Sequence, residues 1–128
     1  MLIDNKLLDS LFEQAKGSPR LRMNYDLRTS KVDNSQRMLN ALLPGTVVPI
    51  HRHPMSSENV FLLKGRLDEV IYNEEGNEIE RIVLDPSVGK YGCVVPKGVW
   101  HTVEVIEPSV ILEAKDGRFG EDGSETMV

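Results

Sequence analysis

Cysteine occurs once in this chain of 128 residues, and histidine three times. A lone cysteine excludes an internal disulfide and any cysteine-rich zinc site, and is compatible with a reducing cytoplasm. A metal bound through imidazole would have only His51, His53 and His101 to draw on. Long apolar runs are missing too. None approaches the ~20 residues that span a bilayer. The opening MLIDNKLLDSLFEQAK carries acids early and has no continuous apolar stretch, so it does not read as a secretory signal. Positive charge is in deficit, with 15 Lys and Arg against 20 Asp and Glu and a net charge of -5. That balance argues against nonspecific nucleic-acid binding. The expectation is a cytoplasmic protein with neither a nucleic-acid nor a membrane partner.

What is present is enough for one folded domain, with 40% hydrophobic and 27% charged residues. Leu7, Leu8, Leu11, Phe12 and Ala15 recur at helical spacing, which predicts an amphipathic helix over 4–16. Asp4 can cap its start, and Gly17 and Pro19 stop it. The period then changes to two: Leu21, Met23, Tyr25 and Leu27 alternate with Arg20, Arg22, Asn24, Asp26 and Arg28. Further strand-like segments follow at 46–52, 60–63, 67–72, 79–84, 93–95, 99–105 and 110–114. Pro44-Gly45, Gly65, Asn73–Asn77, Pro86, Gly89, Gly92, Pro96–Gly98, Glu107-Pro108 and Asp116-Gly117 punctuate them. Many short strands at this spacing predict an all-β sandwich or barrel. The segment 1–17 is expected to pack on it as a helix, and the polar 120–128 to be a flexible tail.

Two segments carry chemistry. In the first, Gly45-Thr-Val-Val-Pro-Ile-His51-Arg-His53-Pro-Met-Ser-Ser-Glu58, the two histidines lie two apart. On a strand they project to the same side and can share one ion. Glu58 follows a Pro-containing break that can fold its carboxylate back to the same point. In the second, Pro96-Lys-Gly98-Val-Trp-His101, a turn fixes the start of a strand that carries the third imidazole. Three imidazoles and a carboxylate suit one divalent transition metal, Zn, Fe, Mn, Co or Ni. Single histidines and a single glutamate are ordinary core or surface residues. A histidine-poor chain that places all three at coordinating spacing is harder to read that way.

These segments resemble the two cupin motifs. The first matches Gly-x5-His-x-His-x4-Glu-x6-Gly at every fixed position through Gly65, and the second matches in Pro96-x-Gly98-x2-His101. Lys90 stands where the second motif has glycine, and Val105 where it has asparagine; neither place is a ligand. More narrowly, SPR at 18–20, QRMLNALLPGTVVPIHRHP at 36–54, LLKGRL at 62–67, PKGVWHTVEV at 96–105 and EAKDGRF at 113–119 resemble the small WbuC-type cupin metalloproteins. The resemblance covers 18–119. It implies a jelly-roll β-barrel of six or more strands with a metal inside, a homodimer, and an association with bacterial polysaccharide and O-antigen gene clusters; with the helix read at 4–16, the expected fold is an all-β cupin jelly-roll with one N-terminal α-helix.

Other residues are candidates for holding a substrate. Arg20, Arg22 and Arg37 can bind carboxylate or phosphate bidentately. The plainer reading of this basic stretch is a solvated strand face. Gln36 and Asn40 share a partly apolar face and can hold a polar ligand or satisfy backbone groups. Glu113 and Lys115 share a face with Ile111. They are an exposed pair if Val110, Leu112 and Ala114 form the core, or an acid–base pair if their own face lines the barrel. Tyr91 and Trp100 read as packing residues, Trp100 facing away from His101, and Cys93 as a small hydrophobe. Two functions fit: a small metalloenzyme, isomerase/epimerase or oxygenase, acting on an anionic or sugar-derived metabolite, or a non-catalytic metal-dependent binding or sensing module. A closed structural metal site fits less well, because a barrel of this size folds without one.

Overall fold

A computed structural model describes residues 1–118 and 122–128. The elements are α1 (Asn5–Lys16), β1 (Arg22–Asp26), β2 (Ser35–Leu42), β3 (His51–Arg52), β4 (Glu58–Tyr72), β5 (Glu78–Leu84), a 3-10 turn at Pro86–Val88, β6 (Gly92–Val95), β7 (Trp100–Asp116) and β8 (Glu125–Thr126). Every strand pairing is antiparallel. The expected all-β architecture with one N-terminal helix is present. Among the described residues, no helix is long and apolar enough to cross a membrane.

β7 is the spine. It pairs with β2 from Ser35↔Asp116 to Leu42↔Ser109, with β3 at His51↔His101, and with β4 from Glu58↔Lys115 to Tyr72↔Trp100. Both β4 and β7 were expected as two strands each, broken at Gly65 and at Glu107-Pro108. The breaks are bulges instead. The β4–β7 register slips three times between Leu62 and Leu67, opposite 105–111. The Ser109 hydroxyl accepts from Arg66 N–H at 3.1 Å and donates to the Glu107 carbonyl at 2.7 Å, serving groups the ladder drops. A bulge bends a strand without ending it, which lets two long strands wrap around one barrel. The opposite happened at 46–52, where only His51–Arg52 is strand. There side chains take the carbonyls a ladder would use: Arg22 Nη1 donates to Val47 at 2.7 Å and Thr102 Oγ1 to Val48 at 2.6 Å.

The sheet is apolar on both faces where it matters. α1 starts at Asp4, whose carboxylate accepts from Leu7 N–H at 3.0 Å, and ends at Gly17. Its buried Leu8, Leu11 and Ala15 lie on Leu39 and Ala41 of β2 and Val110 of β7, with Met23 and Leu112 packed beside them. Truncating a fully buried leucine such as Leu11 costs about 2–5 kcal/mol in comparable cores. Inside the barrel, Leu42, Val60, Leu62, Leu67, Leu84 and Ile111 form a second cluster. The helix therefore covers the outer side of β1, β2 and β7, and the inner side is free to be polar. This corrects the exposed reading of Glu113 and Lys115: both line the interior cavity, and Lys115 is 6% exposed.

Two further expectations change. Tyr91 is 62% exposed, so it is not a packing residue, whereas Trp100 is buried beneath the Arg52 guanidinium, 4.4 Å from the ring centre. The C-terminal segment, expected to fray, returns to the barrel from residue 122. β8 pairs with β3 at His51↔Thr126 and Arg52↔Glu125, and Met127 N–H donates to Ile50 at 2.9 Å. Phe119, Gly120 and Glu121, which close the family-like stretch and open the expected tail, lie outside the described residues.

Two glycines separate the causes of the bulge geometry. Gly65 (φ +99°) and Gly89 (φ +80°) both have left-handed backbones. A Cβ on Gly65 would run into the Pro108 carbonyl and lie 2.7 Å from Ser109 Cα, whereas one on Gly89 meets nothing within 4 Å. Gly89→Ala is expected to cost only the left-handed penalty of about 1–2 kcal/mol. Gly65→Ala adds an overpacking cost of about 1–3 kcal/mol. Urea unfolding measures both; equal losses would show that the β4–β7 approach places no steric demand on residue 65.

Candidate metal centre

The three histidines come from two antiparallel strands and the turn after one of them. His51 on β3 is paired directly with His101 on β7, and His53 follows β3. Their ring centres lie 4.3 to 5.5 Å apart. One ligand atom from each falls within 4.8 Å of the others, a group that could hold a metal ion. His53 and His101 are 8% and 2% exposed.

Each ring is held from its Nδ1 side by a different acceptor. His51 Nδ1–H donates to the Pro49 carbonyl at 2.8 Å. His101 Nδ1 meets Glu69 Oε1 at 2.5 Å, and Glu69 is fully buried. His53 Nδ1–H is shared by Ser124 Oγ at 2.8 Å and Asp122 Oδ2 at 3.2 Å. Ser124 spends its own proton on Asp122 Oδ1 at 2.6 Å, which leaves its oxygen free to accept. The Nε2 atoms are what remain, and those of His53 and His101 are buried without a hydrogen-bond partner. Metal-binding histidines show this arrangement: the second nitrogen donates to a carboxylate or carbonyl and so fixes tautomer and ring orientation.

Glu58, at the start of β4, places Oε2 3.1 Å from His53 Nε2. A carboxylate oxygen and an imidazole lone pair at that distance repel unless a proton or cation sits between them. The donor set therefore fits a transition metal. Burial, and then His101, lower His51 to about 4; burial lowers His101 to about 4 as well. Both rings are thus neutral at pH 7, the form that binds metal. Burial is the largest single influence on Glu58 and would raise it, yet the contact with His53 and the other imidazoles hold it below its ordinary range.

A cavity of about 310 Å³ opens above the histidines. It is lined by Arg20, Arg22, Gln36, Asn40 and Glu113, all expected as substrate residues, together with His51, His53 and Glu58. A smaller recess of about 30 Å³ lies deeper, bounded by His51, His101, Glu58, Glu69, Asn40 and Glu113. Arg37 is the exception among the expected residues. It alternates with Gln36 to the opposite face of β2 and pairs with Asp33 at 2.5 Å. The solvated-face reading describes Arg37, whereas Arg22 is half-buried in the cavity wall and Arg20 borders the cavity while staying exposed. Burial, and then the charge on Glu58, raise Glu113 to about 8, so its carboxyl holds a proton at neutral pH. Burial also pushes the Cys93 thiol up to about 12, in keeping with its packing against the inner apolar cluster.

Sequence reasoning did not find Glu69, Asp122 or Ser124. Glu69 left a signal: on an alternating strand it shares a face with Leu67 and Ile71, and an acid in an apolar row needs a buried partner. Asp122 and Ser124 left none, because a polar tail looks the same whether free or docked. Asp122 also pairs with Lys115 at 2.5 Å, both side chains 1% exposed. Removing one member of such a pair commonly costs about 3–5 kcal/mol.

No curated protein sequence matches this chain significantly. Solved structures match its fold. The capsular polysaccharide assembling protein CapF from Staphylococcus aureus aligns with a TM-score of 0.70 at 16% identity, over 86% of this chain and 32% of that one. A cupin-2 domain protein from Rhodospirillum rubrum aligns at 0.65 and 16%, over 88% and 70%. A mutant of Bacillus subtilis oxalate decarboxylase aligns at 0.63 and 19%, over 83% and 28%. The chain spans about a third of the length of CapF, and at these identities the likeness establishes the fold alone, the cupin fold. One family model matches residues 3–84, most of the chain. The protein belongs to that family, described as a domain of unknown function, DUF6016.

Proposed function

We propose that this protein is a small metalloenzyme that holds one divalent transition metal, Zn, Fe, Mn, Co or Ni, through His51, His53, His101 and Glu58. It acts on a small anionic or sugar-derived metabolite. One observation carries the reading: the Nδ1 of every imidazole is engaged, by the Pro49 carbonyl, by Ser124 and Asp122, and by Glu69, while the buried Nε2 atoms of His53 and His101 have no hydrogen-bond partner and Glu58 Oε2 stands 3.1 Å from the first of them. The bound ion would supply Lewis acidity, polarising a substrate oxygen. The cavity above the histidines speaks against a closed structural site.

The chain's own residues supply the rest. Glu113 borders both the cavity and the recess, beside His51 and Glu58. Its raised pKa suits it to give or take a proton near neutral pH. The Asn40 amide lies 3.5 Å from its Oε1 and orients it. A titratable group in this position favours catalysis by proton transfer, as in an isomerase or epimerase, over a binding or sensing module, which needs none. The WbuC-type resemblance and the structural likeness to a capsular polysaccharide assembling protein support a substrate from bacterial polysaccharide or O-antigen metabolism. The homodimer belongs to the same reading. It is supported by β6, which among the described residues pairs only with β4 and exposes Val94, with Tyr91 exposed just before the strand.

Elemental analysis of the purified protein tests the metal. Wild type is expected to carry close to one equivalent of a transition metal, and His51→Ala and His101→Ala to lose it while circular dichroism stays unchanged. Wild-type protein that holds no metal and gains none on incubation would sink the proposal. Catalysis has its own test. Metal-loaded protein incubated with aldonic and uronic acids in D2O is expected to incorporate deuterium at carbon, by proton NMR, and Glu113→Gln to slow this by a factor of about 10²–10⁴. Binding of those acids without exchange would favour the sensing module.

A further inference from the structure

Two of the arginines differ from five others. Arg28, Arg37, Arg52, Arg66 and Arg81 each reach a carboxylate, at distances between 2.5 and 3.9 Å. Arg20 and Arg22 form no ion pair among the described residues, although the chain as a whole is acidic. Both line the same cavity. Arg22 spends one nitrogen on the Val47 carbonyl at 2.7 Å. Arg20 is exposed, and its guanidinium has no hydrogen-bond or ion-pair partner among the described residues. The acids of the cavity are engaged elsewhere: Glu58 lies against His53, Glu125 pairs with Arg52, and Asn40 reaches Glu113. Glu113 acts on Arg22 only as a more distant charge, so two neighbouring guanidinium groups without an ion-paired carboxylate among the described residues form an anion site.

A second observation is independent of charge. Gln36 Oε1 and Asn40 Oδ1 are both buried and have no hydrogen-bond partner. Gln36 is only 3% exposed and lines the cavity. A buried amide oxygen left without a donor costs about 1–3 kcal/mol, so a ligand that brings a donor is favoured there. Alcohol hydroxyls are such donors.

The order along the cavity gives the ligand a direction. Arg20, Arg22 and Gln36 border only the outer space. Asn40, Glu113, His51 and Glu58 border both the outer space and the recess, and Glu69 and His101 border only the recess. We propose that the cavity binds a small polyhydroxylated anion of the sugar-acid or sugar-phosphate type, with its anionic group outward on Arg20 and Arg22 and its hydroxylated carbons inward along Gln36 and Asn40. This rests on the metalloenzyme reading only for what lies on the cavity floor. The charged end of the ligand is bound by the protein and does not chelate the metal, which leaves the opposite end for the chemistry.

Calorimetry on the metal-loaded protein tests this, with gluconate, glucose 6-phosphate, glucose and acetate as probes. Gluconate or glucose 6-phosphate is expected to bind at least tenfold more tightly than either glucose or acetate, and the better of the two identifies the anion. Arg20→Ala, which removes an exposed side chain that makes no hydrogen bond or ion pair among the described residues, is expected to weaken that probe at least tenfold with metal content unchanged. Arg22→Lys is a second variant that keeps the charge and is expected to weaken it less. Gln36→Leu is expected to reduce the preference for gluconate over acetate. Equal binding of glucose and gluconate, an Arg20→Ala protein that binds like wild type, or metal-loaded protein that binds neither hydroxylated anion would each overturn the inference and leave the metal reading intact. Arginine-dependent binding to protein that cannot take up metal would do the reverse.

Discussion

The packing of α1 over β2 and β7 determines which side of those strands can be polar. An eight-residue strand such as β2 presents alternate residues to two environments, and a barrel strand ordinarily gives its apolar set to the interior. Here Leu39, Ala41 and Val110 face outward, under Leu8, Leu11 and Ala15 of the helix. With apolar burial supplied outside, Gln36, Asn40, Glu113 and Lys115 can occupy the inside. The helix contributes no residue to the cavity, yet the cavity's chemistry depends on it. Only at the far end of the barrel, around Leu67, Leu84 and Ile111, does the interior become a conventional apolar core.

The polar interior is orderly because each charge has a defined neighbour. Lys115 is held by Asp122, His101 by Glu69, and His53 by Asp122 and Ser124. Burial of this many ionisable groups costs several kcal/mol per unpaired ion. Pairing offsets it almost everywhere. Among the described residues six buried side-chain atoms are left over, and five of them, the Nε2 of His53 and His101, the amide oxygens of Gln36 and Asn40 and Glu69 Oε2, belong to residues that line the cavity or the recess beneath it; the sixth is Arg52 Nε. Unsatisfied groups concentrated in one place mark where a protein expects something else to bind.

The helix, the antiparallel strands and the gathering of His51, His53, Glu58 and His101 were all legible in the sequence, because each depends on short-range spacing. Helical period, strand alternation and the His-x-His pair are local facts. What was not legible depends on long-range packing. Whether Glu113 faces water or the barrel interior turns on a helix about a hundred residues away in the chain. Whether Gly65 and Pro108 break a strand or bend it turns on their meeting across the β4–β7 ladder. The roles of Asp122 and Ser124 required knowing that a polar C-terminal segment docks beside His53. Arg37 and Arg22 are the same residue type in the same basic stretch, and only the strand face each occupies tells a surface ion pair from a cavity wall.

β3 contains only two residues, and the chain before it runs without regular structure from Thr46 to Ile50. That leaves the His51 side of the site lightly tethered by backbone hydrogen bonds. An ion held by both His51 and His101 would close a loop of roughly 50 residues, the kind of long closure for which a covalent bridge restricts the unfolded chain most. In a protein with a single cysteine, coordination would thus act as a reversible cross-link. The resistance of the barrel to unfolding would then follow the supply of metal in its surroundings as well as the sequence.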